Sequence, residues 1–164
     1  MVDLLTKVVG ETYTQTVTGV TDSEVIYDHG QSVRDLLGNI VKNRSALFAE
    51  GKQSYIGEYH VGKKWVSPLS GVWRKPNGAL VESEGEMTFK VVGKENVTIP
   101  AGTFEAFKVE GQGFFFKAPN IKVTYWIAPE QVGLVLAQET TVYNSSFGGV
   151  YLITDREELV SYKQ

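Results

Sequence analysis

The chain contains no cysteine, which excludes disulfide scaffolds, thiolate metal sites and cysteine nucleophiles. Histidine is nearly as scarce: His29 and His60 are the only two, so little remains for imidazole catalysis or metal binding. No apolar run approaches the ~18 residues of a membrane-spanning helix. The start, Met1-Val2-Asp3-Leu4-Leu5-Thr6-Lys7, lacks the basic region of a signal peptide. It reads either as a cytoplasmic start or as a mature segment whose leader has been removed. Basic residues form no stripe, the densest pairs being Lys63-Lys64 and Arg74-Lys75, and 16 basic residues stand against 19 acidic ones for a net charge of -3. Nucleic acid is therefore not an expected partner. The absence of an internal repeat argues against propellers and solenoids.

What is present is a chain of 164 residues with 42% hydrophobic and 12% aromatic content, enough for one domain over 1–164 with one sizeable core. Its dominant period is two. Met87, Phe89 and Val91 alternate with Thr88 and Lys90, Phe107 and Val109 with Ala106 and Lys108, and Val123, Tyr125 and Ile127 with Thr124 and Trp126, as half-buried strands require. Val150 and Leu152 precede Asp155-Arg156-Glu157-Glu158, which reads as a solvated turn before a closing strand over 159–162. Pro76-Asn77-Gly78, Pro100-Ala101-Gly102 and Pro129 to Gly133 supply turn chemistry between the runs. The expectation is an all-β, mainly antiparallel domain: a curved sheet, half-barrel or open barrel with at most one short helix. The 17 glycines suit its bends.

One segment is ambiguous. Val33, Leu36, Leu37, Ile40, Val41, Leu47 and Phe48 fit a helical stripe, yet Gly38-Asn39 between Leu37 and Ile40 is also good hairpin chemistry. The hairpin is the favoured reading.

Candidate chemistry is sparse. Glu58 and His60 would share a face of a strand and could act as an acid/base pair, but a surface histidine beside Gly62-Lys63-Lys64 is the simpler reading. His29, in Asp28-His29-Gly30, reads as a turn residue. Glu82, Glu84 and Glu86 alternate and could offer oxygens to a hard cation, although an exposed strand explains them better. Gly111-Gln112-Gly113 lacks the third glycine and helix of a nucleotide fingerprint. No motif implies a cofactor. Asn43, Asn96 and Asn144 head formal glycosylation sequons, which matter only in a eukaryotic secretory protein. Within Phe114-Phe115-Phe116 neighbours point to opposite faces, and Phe104 and Trp126 are out of phase with their apolar neighbours. Such aromatics either line an apolar groove or cover a second packed face.

Asp35-Leu36-Leu37-Gly38-Asn39, Val61-Gly62-Lys63-Lys64-Trp65, the run from Val97 to Val109 containing Pro100-Ala101-Gly102-Thr103-Phe104, and Thr124-Tyr125-Trp126-Ile127-Ala128-Pro129 occur in that order. Together they resemble a broad group of bacterial envelope β domains of unknown function, often exported or lipid-anchored and related in appearance to half-barrels of lipoprotein-carrier type. The resemblance runs from about Asp3 to Tyr162. It implies a curved sheet with a concave face, no enzymatic activity, and a periplasmic or outer-membrane-associated location if a leader has been removed. Relatives often open with a Gly-x-x-Trp-x-Tyr-like strand, so an N-terminal strand of a longer precursor is expected to be missing here, leaving a sheet edge open.

The resulting expectation is a non-catalytic envelope domain holding a lipid, acyl chain or lipoprotein segment on its concave face. Trp65, Trp73, Phe104, Phe115 and Trp126 are its candidate walls, and Trp126→Ala is expected to weaken ligand binding more than stability. The alternative is a structural module that binds an envelope protein partner through an edge or aromatic patch.

Overall fold

The computed structural model describes residues 2–3, 10–48, 53–75, 77–115, 118–144 and 151–163. Pro76, Phe116, Val150 and the serines of the third sequon lie outside these described residues. Twelve strands form one antiparallel sheet: β1 (Val2–Asp3), β2 (Val17–Val20), β3 (Glu24–Tyr27), β4 (Ser32–Asp35), β5 (Ile40–Lys42), β6 (Ala46–Phe48), β7 (Lys64–Arg74), β8 (Leu80–Ile99), β9 (Gly102–Phe115), β10 (Ala118–Ile127), β11 (Val135–Asn144) and β12 (Tyr151–Glu158). From β2 to β12 each strand pairs with its neighbour in sequence, and β1 pairs with β12 through Val2–Arg156 and Asp3–Asp155. β1 and β2 hold opposite edges, and among the described residues no pairing joins them. The fold is therefore all-β and open, as the alternation and turn chemistry indicate. Among the described residues the helical content is one 3-10 turn at Asp28–Gly30, where His29 takes a left-handed φ of 57°.

The ambiguous segment is a hairpin. Gly38, at φ 92°, closes the turn between β4 and β5, with its N–H on the Asp35 carbonyl at 3.0 Å. The Asp35 carboxylate accepts from the N–H groups of Leu37 and Asn39 at 2.9 and 2.8 Å. Leu36 and Leu37, which the helical reading would bury, are exposed. The C-terminal reading needs correction: Asp155 to Glu158 continue β12, and 159–162 form no strand. Charge misled here, because Arg156 is matched along the sheet by Glu139 and Glu158 and does not need a turn to stay solvated.

Register assigns each side chain to a face. On one face lie Trp65, Ser67, Leu69, Gly71 and Trp73 of β7, Val81 to Val91 at odd positions of β8, Phe107 to Phe115 at odd positions of β9, and Ile121, Val123, Tyr125 and Ile127 of β10. The other face carries Glu82, Glu84, Glu86, Lys90, Lys108, Glu110, Lys122 and Trp126. A bulge between Val91 and Gly93 then shifts β8, so that Val97 and Ile99, also odd-numbered, point to this second face.

The sheet curls around its apolar face. Arg34, Leu37 and Gly38 of the β4–β5 hairpin line a pocket together with Ile127, Leu134 and Val135 of β10 and β11, which strands so far apart in sheet order can do only across a concave surface. Glycine permits that curl at β8 and β9. A Cβ on Gly113 would collide with the Glu86 carbonyl and lie 2.8 Å from Met87 Cα, while one on Gly85 would collide with the Phe114 carbonyl and lie 2.8 Å from Phe115 Cα. Two hydrophobic clusters result. The larger lies on the concave face around Phe89, Val91, Val109 and Tyr125; the smaller lies on the convex face around Val97, Ala106, Trp126 and Leu136.

Candidate functional site

The sheet separates the five candidate aromatics. Trp65, Trp73 and Phe115 share the concave face, whereas Phe104 and Trp126 belong to the convex cluster. Trp126 is buried there, its indole N–H donating to Glu95 Oε1 at 2.7 Å. Lys108 and Arg156 lie over its ring, 5.5 and 5.1 Å from the centroid, a cation–π arrangement on an electron-rich surface. Phe104 is half-buried beside it. Their being out of phase thus marks a second packed face, and they cannot wall one groove with the other three.

At one end the concave face is closed by the chain itself. Residues 53–59, which form no strand, cross it and insert Tyr55, Ile56 and Tyr59 into the core. Polar side chains grip this segment. Buried Asn39 accepts from the Tyr55 N–H at 2.7 Å and donates to the Tyr55 carbonyl at 2.9 Å, while its amide also donates to Asp35. Tyr125 donates its hydroxyl proton to the Ser54 carbonyl at 2.8 Å. Trp65 donates to the Gln53 carbonyl at 2.7 Å, and the Gln53 N–H donates to Ser67 Oγ at 2.9 Å. The rings interlock: Trp65 stacks on Phe89 at 5.1 Å and Tyr55 meets Tyr125 edge-on at 5.2 Å. Burial, the leading cause, pushes the Tyr55 hydroxyl up to about 12, against a smaller opposing pull from Arg34. Burial likewise raises Tyr59 and Tyr125. Short-range periodicity does not reveal this segment, because its partners Asn39, Tyr125 and Gln138 are remote in sequence.

The other end carries Phe48, Trp73 and Phe115, all half-buried. Trp73 lies 5.9 Å from Phe48 and 5.4 Å from Phe115, centroid to centroid. Ser83 sits beside them, opposite Gly71 and diagonal to Trp73 in the β7–β8 ladder. Neither the Trp73 indole nitrogen nor the Ser83 hydroxyl, both inaccessible to solvent, has a hydrogen-bond partner. Arg34 Nε, in the small pocket at the closed end, is a third such donor. That pocket holds about 20 Å³, room for about one water.

Glu58 and His60 are both exposed and flank buried Tyr59, and they lie in a loop rather than on the strand the spacing suggested. Glu82, Glu84 and Glu86 are exposed on the convex face of β8. Among the described residues no group of three or more His, Asp or Glu side chains is gathered as a metal site, and no helix is long and apolar enough to cross a membrane.

No protein family, no curated protein and no solved structure matches the chain. The likeness to envelope β domains rests on the segments quoted above.

Proposed function

We propose that the protein is a non-catalytic domain of the bacterial envelope that holds an apolar or amphipathic ligand on the concave face of its sheet. The observation that carries this reading is the separation of charge between the two faces. From Trp65 to Trp73, Val81 to Val91, Phe107 to Phe115 and Ile121 to Ile127, no concave position bears a charged side chain, whereas the convex positions between them carry most of the charge of these strands. A surface without charges can lose its water to an apolar ligand at little cost, with a few polar groups left to fix orientation. Half-buried Trp73 and Phe115 supply contact area at the end that residues 53–59 leave uncovered.

Native mass spectrometry of gently purified protein, followed by organic extraction, tests the proposal. A reproducible adduct is expected, lost in Trp73→Ala and kept in Trp126→Ala, which instead lowers stability by about 3–5 kcal/mol. A clean mass for the unliganded protein, even after incubation with dodecane, methyl laurate and apolar peptides, overturns it.

A second reading has its own observation. β12 spans Tyr151–Glu158, but β1 pairs with it only at Asp155 and Arg156, so most of that edge is open to strand addition by a partner protein. Concentration-dependent association that leaves the concave tryptophans unperturbed would favour it.

A further inference from the structure

The two ends of the concave face repeat one chemical device. At the closed end, an indole N–H and a serine hydroxyl, Trp65 and Ser67, hold the backbone of Gln53 by its carbonyl and its N–H. The two side chains are two apart on β7, about 7 Å along a strand. At the other end Trp73 and Ser83 place an indole N–H and a serine hydroxyl at the diagonal of adjacent strands, about 7–8 Å apart. The same two groups thus recur at a similar spacing on the same face. The first pair is satisfied by peptide backbone and the second is buried with no partner.

An unpaired buried donor costs about 1–3 kcal/mol, so two in one aromatic patch mark a place where an acceptor is wanted. The patch also constrains the acceptor's charge. No cationic side chain shares the concave positions of β7 to β10 around it, so an ionised carboxylate would be buried without a counter-charge. A neutral carbonyl meets no such penalty.

We propose, resting on the concave-face reading above, that the ligand at this end is an extended apolar peptide. Trp73 donates to one of its backbone carbonyls, and Ser83 takes the adjacent polar backbone group, as Trp65 and Ser67 do for Gln53. Phe48 and Phe115 flank its side chains, as Tyr55 and Tyr59 are flanked at the closed end.

The probe is the acetylated, amidated peptide with the sequence of residues 53–59, Gln-Ser-Tyr-Ile-Gly-Glu-Tyr, added to the full chain and followed by the tryptophan indole N–H signals in nitrogen-15 NMR. Trp73→Phe assigns its signal. The expected result is a downfield shift of the Trp73 indole with those of Trp65 and Trp126 unmoved, and a Kd at least tenfold weaker in both Trp73→Phe and Ser83→Ala. Ser83→Ala keeps the test decisive should the tryptophan variant fold poorly. Peptide binding that leaves the Trp73 indole in place, or affinities within twofold in both variants, overturns the inference alone. Methyl laurate moving the Trp73 indole where the peptide does not replaces the peptide with an acyl ester and leaves the concave-face reading standing. Neither probe binding anywhere, together with no adduct by mass spectrometry, removes that reading as well.

Discussion

The two ends of the concave face are built from the same residue types, yet they solve opposite problems. At the end covered by residues 53–59, aromatic rings, a serine and an asparagine are all matched: indole to carbonyl, hydroxyl to amide, ring to ring. At the other end a tryptophan, a serine and two phenylalanines meet, and the polar atoms among them are unmatched. Composition therefore does not distinguish core from site on this sheet; satisfaction of the polar atoms does. One end is organised for stability, the other for contact with something outside the chain.

Four experiments break or sharpen that contrast. The largest effect is expected from alkali. Tyr55 is raised to about 12 from an ordinary value of 10.0, so the folded state keeps its proton where the unfolded chain loses it. The corresponding stability is fully present below pH 10 and is lost as pH rises toward 12. Ultraviolet titration should show the exposed tyrosines ionising first, and Tyr55, Tyr59 and Tyr125 only with unfolding. Their ionisation in the intact fold would mean that the closed end is not sealed. Next, Phe89→Ala removes a ring stacked between Trp65 and Tyr125 and should lower stability by about 3–5 kcal/mol in denaturant melts. Asn39→Ala strands both backbone groups of Tyr55 and should lower stability by about 2–3 kcal/mol, with faster amide exchange confined to residues 53–59. Protection unchanged in that segment would show that its side chains alone hold it. The smallest effect carries the opposite sign: Ser83→Ala deletes an unmatched hydroxyl and should leave stability unchanged or raise it by up to ~1 kcal/mol. A clear loss would place Ser83 with the matched groups of the closed end and end the contrast.

Much of the sheet is legible in the sequence because a half-buried strand writes its two faces into alternate letters. Met87, Phe89 and Val91, or Val123, Tyr125 and Ile127, can be assigned to one face without coordinates, and Gly38-Asn39 and Pro100-Ala101 mark hairpins by their own backbone preferences. The bulge after Val91 is not legible, since nothing local announces that Val97 and Ile99 change sides; the off-phase Trp126 and Phe104 are its visible trace. Nor is the covering segment, whose hold depends on Asn39 and Tyr125 arriving from distant strands. As for the site, its residue types can be read but not its membership. Trp65, Trp73 and Phe115 are brought to one face, and Ser83 shows no signal until its missing partner is seen.

The strand order has a kinetic consequence. Because β2 to β12 pair only with their sequence neighbours, the sheet can grow one hairpin at a time, each addition closing a short loop of low entropic cost. β1 on β12 is the exception: it joins Val2 to Arg156 across nearly the whole chain and must wait until the last strand exists. Residues 53–59 impose a similar delay, for Tyr55 reaches Gln138 and Tyr125 reaches Ser54 only after β10 and β11 are in place. Refolding should therefore form most of its strand signal before its near-ultraviolet tyrosine signal. In that interval the whole concave face stands open, including the end that the folded molecule keeps covered.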